Sequence, residues 1–128
     1  MLRFFVIGFG GAIGTLLRYI IGGFDYPFSG GVIPVSTLVV NVTGSLAIGF
    51  LWGAVGRFVI SPNARMFIFI GVLGGYTTFS TFSLEIFNLM RDGKYWAAVI
   101  NVALSVILSV AAVFLGYIAS KALMNLFR

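Results

Sequence analysis

The stretch Tyr95–Ser120 contains no charged residue in 26 positions, and this feature most limits how the chain can fold. A helix that crosses the hydrocarbon core of a bilayer needs roughly 20 consecutive apolar residues, so the stretch predicts a transmembrane helix. Three other long apolar segments precede it. We therefore predict an all-α membrane protein, a single four-helix transmembrane domain over residues 1–128, with spans at about 2–22, 35–56, 62–90 and 95–120.

Composition argues against several classes of function. Hydrophobic residues make up 60% of the chain and charged residues 9%, against about 25% charged in a typical soluble domain. Cysteine and histidine are absent, which removes disulfides, thiolate and imidazole metal sites and common catalytic groups, so we do not expect an enzyme. The net charge of +5 comes from basic residues placed singly at span ends. That placement is typical of anchoring to membrane lipid headgroups, and we expect no nucleic-acid partner.

The third predicted span is interrupted by a polar run at residues 74–83, which holds two glycines and five serine or threonine hydroxyls. Two glycines disfavour a helix by about 2 kcal/mol relative to alanine, and adjacent threonines add to this, so we predict that the third helix is broken mid-membrane, near Gly74 to Thr77. At membrane depth a break is tolerated only where protein, an ion or a water-filled cavity satisfies the freed backbone. The predicted break therefore favours a function in which the protein binds or transports ions.

The two half-helix ends at such a break favour ions of opposite sign. Carbonyl oxygens around Gly74 and Thr77 suit a hard cation such as sodium, while the N-terminal end of the second half-helix favours an anion. The alternative is a break satisfied by its own threonine hydroxyls.

Two predicted helices carry polar side chains every four residues, which places them on one helical face. Amide and hydroxyl donors can replace the water around a small anion without trapping it, so these stripes are candidate walls of an ion path. Hydrogen bonding between helices is the alternative. The stripes are Thr37, Asn41 and Ser45 in the second span and Asn101, Ser105 and Ser109 in the fourth.

Phe79 and Phe82 lie three residues apart just after the predicted break. The edge of a phenylalanine ring carries partial positive charge and can contact an anion, although such a pair also serves simple packing. Glu85 is the one acidic residue predicted within a span, and an intramembrane acid is a functional candidate. It could instead pair with a basic residue or cap hydrogen bonds at the membrane interface.

The distribution of basic residues bears on orientation in the membrane. A five-to-three split is a weak bias, so it permits insertion in both directions and hence an antiparallel homodimer, with one-way insertion still open. With four spans, one side carries Arg3, Arg57, Arg65, Lys121 and Arg128 and the other carries Arg18, Arg91 and Lys94.

Residues 74–83, GGYTTFSTFS, resemble the signature of the Fluc (CrcB) family of fluoride channels. The resemblance extends to residues 8–18, which read GxGGxxGxxxR, to residues 37–44, which read TLxVNxxG, and to the serines of the fourth span. It therefore covers nearly the whole chain.

This resemblance implies an antiparallel, dual-topology homodimer in the cell (inner) membrane, with two fluoride pores and a structural sodium ion at the centre of the interface. The main-chain oxygens of Gly74 and Thr77 match the sodium ligands of the family. Asn101 departs from the family pattern, in which tyrosine or histidine can occupy this position, and we assign it no role. The residues that match the fluoride pathway are Asn41, Phe79, Phe82, Ser105 and Ser109, with Ser80, Thr81 and Glu85 as further members and Arg18 near the vestibule.

The expected function is selective, passive export of fluoride from the cytoplasm. The main alternative is a small four-helix drug/proton antiporter, which has a similar length and dual topology but relies on a glutamate deep in its first span. The first span of this chain has no acidic residue. A noncatalytic assembly subunit is a third class, and it would conduct no ions.

Overall fold

The computed structural model describes residues 1–24, 33–56 and 60–126. Two residues of the predicted charge distribution, Arg57 and Arg128, lie outside the described residues. Within the described ranges the structure is helical and has no strand. Four segments are long and apolar enough to cross a membrane, which confirms the predicted number of spans: Leu2–Gly22, Val35–Val55, Pro62–Arg91 and Tyr95–Leu126.

The first, second and fourth spans are single helices, which we call α1 (Leu2–Gly22), α2 (Val35–Val55) and α6 (Tyr95–Leu126). The third crossing, Pro62–Arg91, is composite. It contains α3 (Pro62–Arg65), a π-helical segment (Met66–Val72), α4 (Leu73–Tyr76) and α5 (Phe79–Arg91).

The third crossing begins where the sequence predicts it to begin. Ser61 Oγ accepts a hydrogen bond from the Ala64 N–H at 3.2 Å, and Pro62 occupies the first helical position, where a missing N–H has little consequence. The π-helical segment that follows has wider turns, which are uncommon and occur frequently at functional sites. Its residues gave no signal for this in the sequence.

The third crossing is broken at Thr77 and Thr78, which adopt extended backbone conformations with ψ of 155° and 125°. The prediction of a break is confirmed, but it lies slightly later than expected because Gly74 and Gly75 remain helical in α4. Gly75 serves packing instead, since a Cβ placed on it would lie 2.6 Å from the carbonyl oxygen of Gly11. The threonines therefore form the break, and the neighbouring glycine brings α4 close to α1.

The helices pack as two groups that meet at this break. In one group α1 lies against the π-helical segment and α4, and in the other α2 lies along α6, which also contacts α5. The α2–α6 pair approaches closely because a Cβ on Gly49 would overlap the carbonyl group of Val113, and one on Gly116 would overlap that of Leu46. Small residues at helix contacts are typical of membrane proteins, where dispersion contacts between helices drive association.

The outer surface of the described chain is strongly apolar, with large side chains such as Phe4, Trp96 and Phe114 exposed. A surface of this kind suits contact with lipid tails or a second membrane-embedded copy. The last helix continues to Leu126, beyond its predicted end near residue 120. Lys121 consequently lies within the helix, and its Nζ is 5.5 Å from the centre of the Tyr117 ring.

Candidate ion pathway

A cavity of about 470 Å³ lies where the broken third crossing faces α2 and α6. We call it the break cavity. The described residues that line it are all uncharged. Its walls include many of the residues predicted from the sequence, namely Asn41, Gly74, Thr77, Phe79, Phe82, Ser105 and Ser109, together with Ser45 of the α2 stripe.

Asn41 fixes the backbone of the break through two hydrogen bonds to one residue. Its Nδ2 donates to the carbonyl oxygen of Thr78 at 3.0 Å, and its Oδ1 accepts from the Thr78 N–H at 2.9 Å. The amide thus satisfies both backbone groups of an extended residue that is itself buried. One of the two Nδ2 protons is not needed for these bonds and remains to be donated elsewhere.

One hydroxyl of the break satisfies part of its freed backbone. Thr78 Oγ1 accepts from the Thr81 N–H at 3.3 Å, which caps α5. Thr77 Oγ1 donates at 2.9 Å to the Leu73 carbonyl, which already accepts from the Thr77 N–H. The alternative, in which threonine hydroxyls alone satisfy the break, is therefore incomplete, because Asn41 is needed for Thr78.

The carbonyl of Gly74 loses its regular helical partner at the break. In a continuous helix it would accept from the N–H of Thr78, four residues on, but that N–H is donated to Asn41. Among the described residues, no group of three or more histidine, cysteine, aspartate or glutamate side chains could hold a metal ion. A cation at this position would rely on main-chain oxygens such as those of Gly74 and Thr77, a donor type that hard cations accept.

Phe79 and Phe82 project from the first turn of α5, and their ring centroids are 5.5 Å apart with an interplanar angle of 49°. Both line the break cavity. Phe82 is buried, whereas Phe79 is 78% exposed in the single chain. Phe79 therefore stands at the border between the cavity and the outer surface.

The two polar stripes predicted from four-residue spacing both reach the break cavity, from opposite helices. Asn41 and Ser45 come from α2, and Ser105 and Ser109 come from α6. Ser105 Oγ donates to Oδ1 of Asn101, one turn earlier on α6, at 3.4 Å. Asn101 is buried and is not among the residues that line the cavity.

A second cavity of about 240 Å³ gathers the remaining charged candidates, and we call it the Glu85 cavity. It is lined by Arg18 of α1, Thr37 of α2, and Thr81 and Glu85 of α5. Thr37 Oγ1 donates a hydrogen bond to Glu85 Oε1, while the buried Oε2 has no hydrogen-bond partner among the described residues. Thr37, the first member of the α2 stripe, therefore belongs to a different cavity from Asn41.

Thr78 lines both cavities, so they adjoin at the break. Sequence reasoning did not single out this residue, although threonine is a preferred N-cap and an apolar helix follows it. Ser80 is exposed and lines neither of the two, but its Oγ lies 3.4 Å from Thr78 Oγ1. A further unforeseen contact joins α2 to α4, where Thr43 Oγ1 and the Tyr76 hydroxyl are 2.8 Å apart.

The fold and these cavities define a multi-pass membrane protein with two adjoining cavities that contain polar groups at a helix break. The family model described as CrcB-like protein, Camphor Resistance (CrcB), matches residues 5–117. The chain belongs to this family, which confirms the resemblance found in its sequence.

Curated relatives match most of the chain. A protein of Methylocella silvestris is 46% identical over 117 residues, covering 89% of each chain. A protein of Methylobacterium radiotolerans is 49% identical over 115 residues, covering 87% of this chain and 79% of the relative. A protein of Parabacteroides distasonis is 41% identical over 128 residues and covers both chains fully. Each of these relatives is named a fluoride-specific ion channel, FluC.

Proposed function

We propose that this protein is a fluoride-selective ion channel that passively exports fluoride from the cytoplasm across the cell (inner) membrane. The observation that carries the proposal is the break cavity, in which an amide, three serine hydroxyls and two phenylalanine rings converge without a charged side chain. The names of the relatives agree with this function. A channel of this kind is not an enzyme.

The chemistry of the break cavity suits a small, strongly hydrated anion. Fluoride leaves water only where donors replace its hydration shell, and it moves on only where no single group binds it too firmly. The second Nδ2 proton of Asn41 and the hydroxyls of Ser105 and Ser109 are such donors. The ring edges of Phe79 and Phe82 add weak favourable contacts.

The path continues past Thr78 into the Glu85 cavity. There Arg18 supplies positive charge that attracts an anion, and the hydroxyl of Thr81 offers a further donor. Glu85 Oε1 already accepts a hydrogen bond from Thr37. That bond directs the Thr37 proton towards the carboxylate, so Thr37 must turn before it can donate to fluoride.

The proposal includes an antiparallel homodimer with two pores and a structural sodium ion at its centre. Three features support it: the exposed ring of Phe79, the Gly74 carbonyl without its regular helical donor, and the weak bias of basic residues between the two sides. In this assembly the main-chain oxygens of Gly74 and Thr77 from both copies hold the sodium, whose role is to neutralise converging carbonyl dipoles. The ion stabilises the interface and does not move with fluoride.

The drug/proton antiporter is not favoured. The relatives are named fluoride channels, and α1 contains no acidic residue for proton exchange. Glu85 lies on α5, where its carboxylate is bonded to Thr37.

Reconstitution tests the proposed function. Purified protein is incorporated into liposomes loaded with both fluoride and chloride, and release of each anion is followed with ion-selective electrodes while an ionophore prevents build-up of charge. We expect rapid loss of fluoride and retention of chloride, with protein-free liposomes as the control. Absence of fluoride release from folded, dimeric protein would refute the assignment.

A further inference from the structure

The side chain of Asn101 is a buried polar group for which the proposed pathway has no role. It lies on α6 one turn before Ser105, and the residue is 1% exposed. Oδ1 accepts the hydrogen bond from Ser105 Oγ, whereas Nδ2 has no hydrogen-bond partner among the described residues. Burial of an unpaired N–H is unfavourable, so an apolar residue would suit this position better if packing were its only function.

The hydrogen bond that Ser105 makes differs from those of several other hydroxyls on the described helices. Thr43, Thr77 and Ser83 each donate to the backbone carbonyl four residues earlier, at 2.7 to 2.9 Å. Ser105 instead donates to the side chain of the residue four positions earlier, at 3.4 Å. The Asn101 amide therefore diverts this hydroxyl from the backbone and holds it through a longer, weaker bond.

The direction of that bond matters for an anion in the break cavity. A serine hydroxyl has a single proton to donate. While this proton points at Asn101 Oδ1, Ser105 presents only its oxygen lone pairs to the cavity, and these repel an anion. Rotation of the amide by half a turn exchanges Oδ1 and Nδ2, so that Asn101 donates to Ser105 Oγ and the serine proton is released towards the cavity.

We propose that Asn101 is a positioning residue for fluoride conduction, which acts by reversing the direction of its hydrogen bond with Ser105. The inference rests on the proposed channel function. When fluoride enters, the amide donates to Ser105 and Ser105 donates to the anion, and donors aligned in such a chain strengthen one another. When fluoride leaves, the amide turns back and the hydroxyl again points at Oδ1. Ser105 therefore donates its proton to the cavity only while fluoride is present.

A double-mutant cycle in the liposome assay tests this proposal. Asn101→Leu keeps the shape of the side chain but removes the amide, so the Ser105 hydroxyl should bond to the backbone carbonyl four residues earlier, as those of Thr43, Thr77 and Ser83 do. We expect fluoride flux to fall about 5-fold, the size of one net hydrogen bond, and Ser105→Ala to cause a similar fall. Because both changes remove the same donor, the double variant should conduct no more slowly than either single variant.

Ser109→Ala provides the matched control, since Ser109 lines the same cavity and is not the donor to Asn101. Combined with Asn101→Leu, its effect on flux should multiply. The melting temperature of Asn101→Leu should equal or exceed that of the parent protein, because the substitution removes an unpaired buried N–H. If the leucine variant does not fold, Asn101→Ala carries the same cycle.

Three results would overturn the inference: unchanged flux in Asn101→Leu, multiplying effects of Asn101→Leu and Ser105→Ala, or a fall in flux matched by a fall in melting temperature. Each presupposes that the parent protein releases fluoride. If the parent protein itself releases none, the proposed function fails first, so the two failures are distinguishable in one assay.

Discussion

The strongest prediction about the break concerns the hydrogen bonds between Asn41 and Thr78. Asn41→Leu removes both partners of an extended residue that is 8% exposed, and so leaves the Thr78 N–H and carbonyl unpaired. Each unpaired buried group disfavours a structure by about 1–3 kcal/mol, or about 2–6 kcal/mol for the two together. A free-energy difference of about 1.4 kcal/mol changes an equilibrium constant tenfold. The population of the observed break, relative to other backbone arrangements, should therefore fall roughly 30-fold to 10⁴-fold.

The available rearrangement also predicts the consequence for function. Without Asn41, the Thr78 N–H can return to the Gly74 carbonyl and extend α4, which would move Phe79 away from the break cavity. We therefore expect fluoride flux from liposomes to fall at least tenfold and the melting temperature in detergent to fall as well. Asn41→Asp keeps an acceptor for the Thr78 N–H, so its melting temperature should lie nearer the parent value, while its negative charge beside the path still blocks the anion.

Ser45→Ala is the control for this experiment, because Ser45 lies on the same stripe and lines the same cavity but does not bond to Thr78. Its flux should fall much less than that of Asn41→Leu. The reasoning is refuted if Asn41→Leu retains both the flux and the melting temperature of the parent protein.

Four further predictions follow from the same structure. Phe79→Ile and Phe82→Ile should each lower fluoride flux and leave the proposed dimer intact, as judged by size-exclusion chromatography, and unchanged flux would assign the rings to packing. Because the chain has no cysteine, Lys94→Cys gives a single thiol in the α5–α6 connection. In spheroplasts, an impermeant maleimide should label about half of the protein if both orientations occur, whereas labelling of all or none of it would indicate one-way insertion. Purification and reconstitution with potassium in place of sodium should lower the melting temperature and the fluoride flux, and both should recover when sodium is returned. Identical melting temperature and flux in the two salts would remove sodium from the proposal. Gly49→Ala should separate α2 from α6, because its Cβ overlaps the Val113 carbonyl group, and a variant with normal stability and flux would contradict the close contact.

Much of the fold could be predicted because a helix that crosses lipid needs a long, apolar and nearly uncharged stretch of sequence. Uncharged stretches such as Tyr95–Ser120 locate the spans, and the Ser61-Pro62 pair locates the start of the third crossing. The end of α6 was less predictable, since a helix can continue past Lys121 once its side chain lies along an aromatic ring. The π-helical segment Met66–Val72 could not be predicted, because its residues carry no local signal for wider turns; α1 packs against it in the fold.

The candidate site was predictable to the extent that helical spacing fixes which residues share a face. The stripe of α2 is an example, but spacing did not reveal that Thr37 and Asn41 would line different cavities, since the boundary between them is Thr78 on another helix. The low helix propensity of glycine predicts a break at the glycine pair, yet Gly75 is helical and lies against Gly11. Propensity identified the right segment, and tertiary packing decided which of its residues left the helix.

A single choice of hydrogen-bond partner connects the proposed cation and anion sites. The Thr78 N–H bonds to Asn41 and not to Gly74. This one bond frees a main-chain oxygen on the side of α4 and, at the same time, holds the Asn41 amide at the break cavity with an N–H to spare. A sodium ion that favours the free Gly74 carbonyl would therefore also favour the Asn41 orientation that serves fluoride. In the proposed channel the two ions would need no direct contact to support each other, because each would stabilise the same broken backbone.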